Sequence, residues 1–247
     1  MADFRDYIGL DLTAYLQHYG KGHLDGGHSG RYPYGSGKRP FQDRGGQADS
    51  SISSGRSAES MKSDSIHKSA IAAGFRPLSA PESREEAMKN CNPYRNKYVG
   101  KDNCFSCGLS GYLREHGIDS KGVVRFDGGV LADKILDKAT TNKDKLHVSV
   151  SFDEDEDARV MYKAIPEIYG NDASGLIGVR WQGGGGHIYN FETKNGKVEF
   201  IDYQRGASGK EVDSYLDHID MKEPVILYRL DDAELNMNIL KKYVKAS

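Results

Sequence analysis

The stretch from His187 to Tyr203 constrains this chain more than any other. His187–Thr193 alternates apolar and polar residues, Lys194-Asn195-Gly196 follows, and Lys197–Tyr203 alternates again. Asn-Gly between two period-two runs predicts a tight antiparallel hairpin, because both turn positions need positive φ and these residue types tolerate it. A hairpin with an apolar face must be widened and covered. Gly175–Gln182 (GLIGVRWQ) and Val225–Leu230 read as further strands, and Val123–Phe126 as a short one. Cys104–His116 predicts a helix that Gly117 ends, with Leu109, Tyr112 and Leu113 on its apolar face. Ala158–Tyr169 predicts another, strained by Pro166. Weaker helical patterns span Ala58–Ala73, Val130–Leu136 and Asp232–Tyr243, and Pro81-Glu82 reads as the start of a helix running to Cys91. Helices in front and a meander of strands behind predict an α+β fold.

The front of the chain differs. Asp3–Tyr19 has one apolar helical face, but Gly20–Ser57 is built mostly from Gly, Ser, Pro and Asp. Such a segment cannot bury enough apolar area to offset an ordering entropy of roughly 1–2 kcal/mol per residue. Residues 1–74 are therefore expected to be a helix plus an arm that is extended, flexible or ordered on a partner, and residues 75–247 a compact domain. The chain has 34 Lys+Arg against 36 Asp+Glu, a net charge of -2. That balance gives no field to draw it onto nucleic acid. No apolar run approaches the roughly 18 residues of a membrane span, and the N-terminus lacks the basic-then-apolar order of a secretory signal. The expectation is a chain that is cytoplasmic on synthesis and not membrane-bound.

Three cysteines, Cys91, Cys104 and Cys107, are too few for a disulfide scaffold. Asn103 suits a helix N-cap, which puts Cys104 in the first turn. There the helix dipole favours a thiolate, and free backbone N–H groups can hold an oxyanion. Cys-x-x-Cys is also the half-site of a zinc or redox centre, although no second close pair of ligands follows. Gly183–Gly186 precedes His187, so a substrate backbone can approach closely there. Asp202 ends the second hairpin strand, fifteen residues after His187, which lets the two side chains meet on neighbouring strands. A thiolate, an imidazole base and an acid that orients it make a nucleophilic unit.

These pieces resemble the papain-fold toxin domains, which are related to bacterial glutamine deamidases and also occur on phage-head-associated proteins. The resemblance rests on Asn92-Pro93, NC-x-x-C at Asn103–Cys107, Leu113-Arg114 with Gly117, GVRWQGGGGHIYNFE and NGKVEFIDYQ. It implies a papain-like fold with a helical nucleophile segment and an antiparallel sheet carrying His and Asp. It implies Cys104 as nucleophile, with Cys107 as the fallback, His187 as general base and acid, and Asp202 as orienter. Gln204 would shape the site, and Asn103 or Asn96 would take the oxyanion-hole role of the family's glutamine. From their place at the glycine run, Gly186 is a candidate for the substrate side, and Trp181 is either a core residue or a wall of the cleft. No metal or cofactor is implied. The implied reaction is deamidation of a protein glutamine through a thioester, and peptidase or transglutaminase chemistry uses the same residues. A Cys104–Cys107 or Cys91–Cys104 disulfide would act as an off state. A capsid or toxin-delivery partner would dock on residues 20–57. The alternative is a phage structural or morphogenesis protein that keeps the fold as scaffold or peptidase.

Other features carry less. His18, His23 and His28 recur at a spacing that fits neither helix nor strand. The acidic run Asp153–Asp157 fails the calcium-loop pattern, with Ala158 and Ala164 where Gly and Glu are needed. Tyr and Arg in SGRYPYGSGKRPFQ suit a docking tail better than a nucleic-acid binder.

Overall fold

A computed structural model of the protein describes residues 58–95, 103–124, 132–141, 147–152 and 157–246. Residues Ser57–Ser247 form one compact unit. The helix expected at Asp3–Tyr19, the Gly20–Ser57 arm, Asn96, most of the acidic run and the three N-terminal histidines lie outside the described residues.

Helix α1 (Ala58–Ala72) opens the unit, followed by β1 (Arg76–Pro77) and α2 (Arg84–Cys91). Helix α2 starts three residues later than Pro81 suggested. Ser83 and Glu86 form a capping box, each side chain bonding the other's backbone N–H, and that reciprocal cap fixes the start. Helix α3 (Cys104–Glu115) leads into β2 (Ile118–Asp119) and β3 (Lys121–Gly122). Half of the strand expected at Val123–Phe126 lies outside the described residues; β3, just before it, pairs with β10 (Val244–Lys245). Helix α4 (Ala132–Ala139), β4 (His147–Val150) and α5 (Met161–Tyr169) come next. A 3₁₀ turn at Ala158–Val160 precedes α5, which accommodates Pro166 within it.

The main sheet then forms from β5 (Ser174–Arg180), β6 (Gly186–Lys194), β7 (Lys197–Asp202), β8 (Ala207–Ser208) and β9 (Val225–Arg229). Its order is β4-β9-β5-β6-β7-β8, antiparallel throughout. The hairpin turn is Asn195-Gly196, with φ of 53° and 71°, the two-residue turn whose twist matches the flanking strands. Between β8 and β9 lie a short helix α6 (Lys210–Asp213) and a 3₁₀ segment at Ser214–His218. Helix α7 (Met237–Leu240) is far shorter than the Asp232–Tyr243 pattern suggested: Met237 and Leu240 are buried from it, while Leu235 is buried just before it in a β-bridge with Thr140.

One sheet face, with Ile177, Tyr189, Phe191 and Phe200, packs on Met161 and Ile165 of α5 and on Val212 and Leu216. The other takes α3 at unusually close range. A Cβ on Gly108 would sit 2.7 Å from Asn190 Oδ1 and 2.9 Å from Leu176 Cδ2, and one on Gly111 would fall inside the Tyr203 ring. Those two glycines let the helix press on the strands, so its start is held against the end of β7. Arg114 anchors the far end of α3. It donates to Glu82 at 2.7 and 2.6 Å, to Asp119 at 2.7 Å and to the Ser120 carbonyl at 2.7 Å. The cation is buried but saturated with partners, as a buried guanidinium must be.

Candidate active site

His187 is the second residue of β6 and Asp202 the last of β7. In the β6–β7 register Asn190 faces Ile201 and Phe191 faces Phe200. His187 and Asp202 are therefore diagonal neighbours on one face, within reach of each other. His187 Nε2 donates to Asp202 Oδ2 at 2.8 Å. Asp202 is fully buried (0% exposed) and saturated with donors. Tyr215 OH donates to the same Oδ2 at 2.9 Å, and the backbone N–H groups of Gln204 and Arg205 donate to Oδ1 at 2.9 and 3.2 Å.

This setting separates the proton affinities of the pair. Burial pulls His187 down, but hydrogen bonds to Asp202 and Cys104 and their negative charge outweigh it and raise it to about 9. Burial pushes Asp202 up, but the His187 hydrogen bond and charge, the Arg205 N–H and the Tyr215 hydroxyl hold its carboxyl below the usual range. The pair favours imidazolium beside carboxylate. Nε2 is committed to Asp202, which leaves Nδ1 as the ring's other nitrogen.

Cys104 is the first residue of α3 and is partly exposed, whereas Cys91 and Cys107 are buried; all three thiols are free. Burial raises Cys91 to about 12 and, together with the charges of Cys91 and Cys104, sends Cys107 well above its ordinary value. Asn103 occupies the N-cap position, but its side chain makes no capping bond. Instead its Oδ1 accepts from Gln204 Nε2 at 2.9 Å and its Nδ2 donates to Asn92 Oδ1 at 3.2 Å, while Asn92 Nδ2 donates to the Gln204 carbonyl at 2.8 Å. This closed bracket of amides ties the turn after Asp202 to the residue before Cys104. Asn103 and Gln204 are buried and engaged with each other, and the first turn of α3 is left without a side-chain cap.

Trp181 is half-buried, with its ring stacked 6.0 Å from that of His187. The glycine run also has a conformational reason of its own. Gly184 and Gly185 have φ of 87° and 80°, a left-handed turn joining β5 to β6 that residues with a Cβ resist. Nothing lies within 4 Å of a Cβ built on Gly183, Gly184 or Gly185, so the turn borders open space beside His187. Gly186 begins β6, and a Cβ there would meet the Val179 carbonyl at 2.7 Å.

Tyr215 had no role in the sequence reading, and Asn92 entered it only as part of the Asn92-Pro93 pair, with no structural role assigned. Tyr215 sits in a 3₁₀ turn that no periodic pattern marks, and Asn92 shows its partner only once the Gln204 turn is folded against it. Among the described residues no cluster of His, Cys, Asp or Glu is arranged to hold a metal ion, and no helix is long and apolar enough to cross a membrane.

No curated protein and no solved structure matches the chain. A family model described as papain fold toxin 1, glutamine deamidase, matches residues 102–207, the segment that begins just before Cys104 and ends just after Asp202. With the mixed helices and antiparallel sheet described above, residues 102–207 are a papain-fold, glutamine-deamidase-like toxin domain.

Proposed function

We propose that the protein is a cysteine-dependent deamidase that converts a glutamine side chain of a protein substrate to glutamate. The observation that carries this reading is the hydrogen-bonded His187–Asp202 pair; Cys104 is among the groups that raise the proton affinity of His187, which supports placing it in the same unit. Cys104 is the nucleophile, since it is the one partly exposed thiol of the three and burial opposes ionisation of the other two. It gives its proton to His187, and its sulfur adds to the carboxamide carbon. The uncapped N–H groups at the start of α3 suit the oxyanion that forms. His187 protonates the departing nitrogen, the C–N bond breaks, and ammonia leaves a thioester. His187 then takes a proton from water as the water attacks the thioester, which releases glutamate and restores the thiol. Asp202 keeps the imidazole in the needed orientation and tautomer.

Trp181 and Gly186 border the substrate side. Asn103 and Gln204, with Asn92, act by holding Cys104 opposite His187 rather than by touching substrate, since their amides are spent on one another. Residues 20–57 are proposed to dock a delivery or capsid partner.

Expression of the wild type and of Cys104→Ala in cells, followed by mass spectrometry of the proteome, tests the reaction. The reading expects a small set of glutamines converted to glutamate by the wild type alone, with release of ammonia. New peptide N-termini without such conversion would make the protein a peptidase. Conversion that persists in Cys104→Ala, or none with either protein, overturns the proposal.

A further inference from the structure

We propose that Tyr215 is a positioning residue of the Cys104–His187–Asp202 unit: its hydroxyl holds Asp202 Oδ2, takes up part of that oxygen's charge, and so sets how firmly His187 keeps its proton. The inference rests on the deamidase reading and extends it to a residue in a different element.

The geometry is specific. Tyr215 OH and His187 Nε2 donate to one oxygen, at 2.9 and 2.8 Å. They are the side chains that bond Asp202 among the described residues, and its other oxygen is occupied by two backbone N–H groups. The Tyr215 ring has little freedom to turn away. It meets His187 edge-on at 6.0 Å, Trp181 at 5.9 Å and Tyr189 at 5.9 Å, and the Arg205 guanidinium lies 5.6 Å from its centroid. Burial, then the charge of Asp202, raise the Tyr215 phenol above its ordinary value, so it stays a proton donor where His187 titrates.

The ionisable groups that act on this pair come from every element around it. They are Cys104 and Cys107 of α3, Cys91 of α2, Tyr189 of β6, Arg205 of the turn after β7, and Tyr215 itself. Tyr215 alone of these donates a side-chain hydrogen bond to Asp202. A carboxylate that loses a donor concentrates charge on its remaining partner and binds an imidazolium more strongly. Removing the hydroxyl should therefore raise the pH at which His187 gives up its proton. A stronger donor at the same place should lower it. A residue that only fills space would do neither.

The test is the rate of Cys104 alkylation by iodoacetamide, followed by peptide-resolved mass spectrometry across the pH range of both titrations. A coupled thiol and imidazole give two inflections, the upper one reporting loss of the imidazolium. The variants are Tyr215→Phe, which keeps the ring, and replacement of Tyr215 by 3-fluorotyrosine, a more acidic phenol. The upper inflection, expected near 9 in the wild type, should rise by about 0.5 in Tyr215→Phe and fall with fluorotyrosine. If Tyr215→Phe does not fold, the fluorotyrosine protein, which retains both ring and hydroxyl, decides the matter. Two wild-type inflections unmoved by either replacement, or moved in the opposite sense, overturn the role of Tyr215 and leave the deamidase reading standing. A single wild-type inflection like that of a free thiol overturns both.

Discussion

Asp202→Asn removes the charge at the centre of the site with almost no change of shape. Four donors converge on that carboxylate: His187 Nε2, the Tyr215 hydroxyl and the N–H groups of Gln204 and Arg205. An amide has one accepting oxygen, so its NH₂ must face two of these donors. Backbone N–H groups cannot become acceptors, which leaves the NH₂ on the His187 side. Nε2 must then accept, its proton moves to Nδ1, and the ring can no longer take the thiol proton through that nitrogen as the proposed mechanism requires. The energy follows from the raised proton affinity. His187 moves from 6.5 to about 9, which at about 1.4 kcal/mol per pH unit is at most about 3.5 kcal/mol. Cys104 supplies part of that, so the Asp202 share is about 2 kcal/mol. The folded-state value is raised, so this stability is fully present below pH 6.5 and fades as pH rises through 9. Asp202's own value is lowered, so the pair's contribution also fades as pH falls below 3.8. Urea unfolding of wild type and variant, once below pH 6.5 and once above 9, reads the quantity. The stability difference between the two proteins should shrink by about 2 kcal/mol between those conditions. A difference that stays constant would mean that only packing and amide mismatch are lost, and would refute the imidazolium–carboxylate pair.

Three other substitutions probe the frame. Gly111→Ala drives a methyl group into the Tyr203 ring and should cost about 3 kcal/mol in urea unfolding; a neutral result would mean that α3 has room to withdraw from the sheet. Gln204→Ala leaves the Asn103 amide oxygen without its partner, and should both lower the melting temperature and slow Cys104 alkylation, whereas a change in stability alone would argue against a link to the nucleophile. Glu115 is raised to about 7, chiefly by burial and then by the charge of Glu192, against the Tyr203 hydroxyl and Arg84. An acid with a raised folded-state value costs stability as pH climbs from 4.5 through 7, so Glu115→Gln should gain stability over the wild type across that range and none below it; a gain independent of pH would contradict this.

The parts legible from sequence are those governed by short-range rules. Period-two alternation and Asn195-Gly196 gave the β6–β7 hairpin and its register, and so the meeting of His187 with Asp202. The amphipathic run Cys104–Glu115 gave α3 and put Cys104 at its start. Errors arose where a local signal had a competitor or a long-range partner. Pro81 pointed to a helix start, but the Ser83–Glu86 box, visible as S-x-x-E, decided it. Asn103 had the composition of a cap, yet its amide is claimed by Gln204, more than a hundred residues away. Tyr215 lies on a 3₁₀ turn with no periodicity, and its hydroxyl reaches Asp202 only because β7, β8 and α6 fold the chain back on itself. The edge strand β4 is four residues long and pairs with β9, so its signal lies in a distant partner.

The most direct test of the account is the reactivity of Cys104 below pH 6.5, in wild type and in His187→Ala. His187 is proposed as the base that takes the Cys104 proton, so loss of its imidazole should slow the reactions of the sulfur. With a general base removed, Cys104 of His187→Ala is expected to react with iodoacetamide about 100-fold more slowly than in the wild type. Equal rates in the two proteins, at the speed of an ordinary thiol, would contradict it.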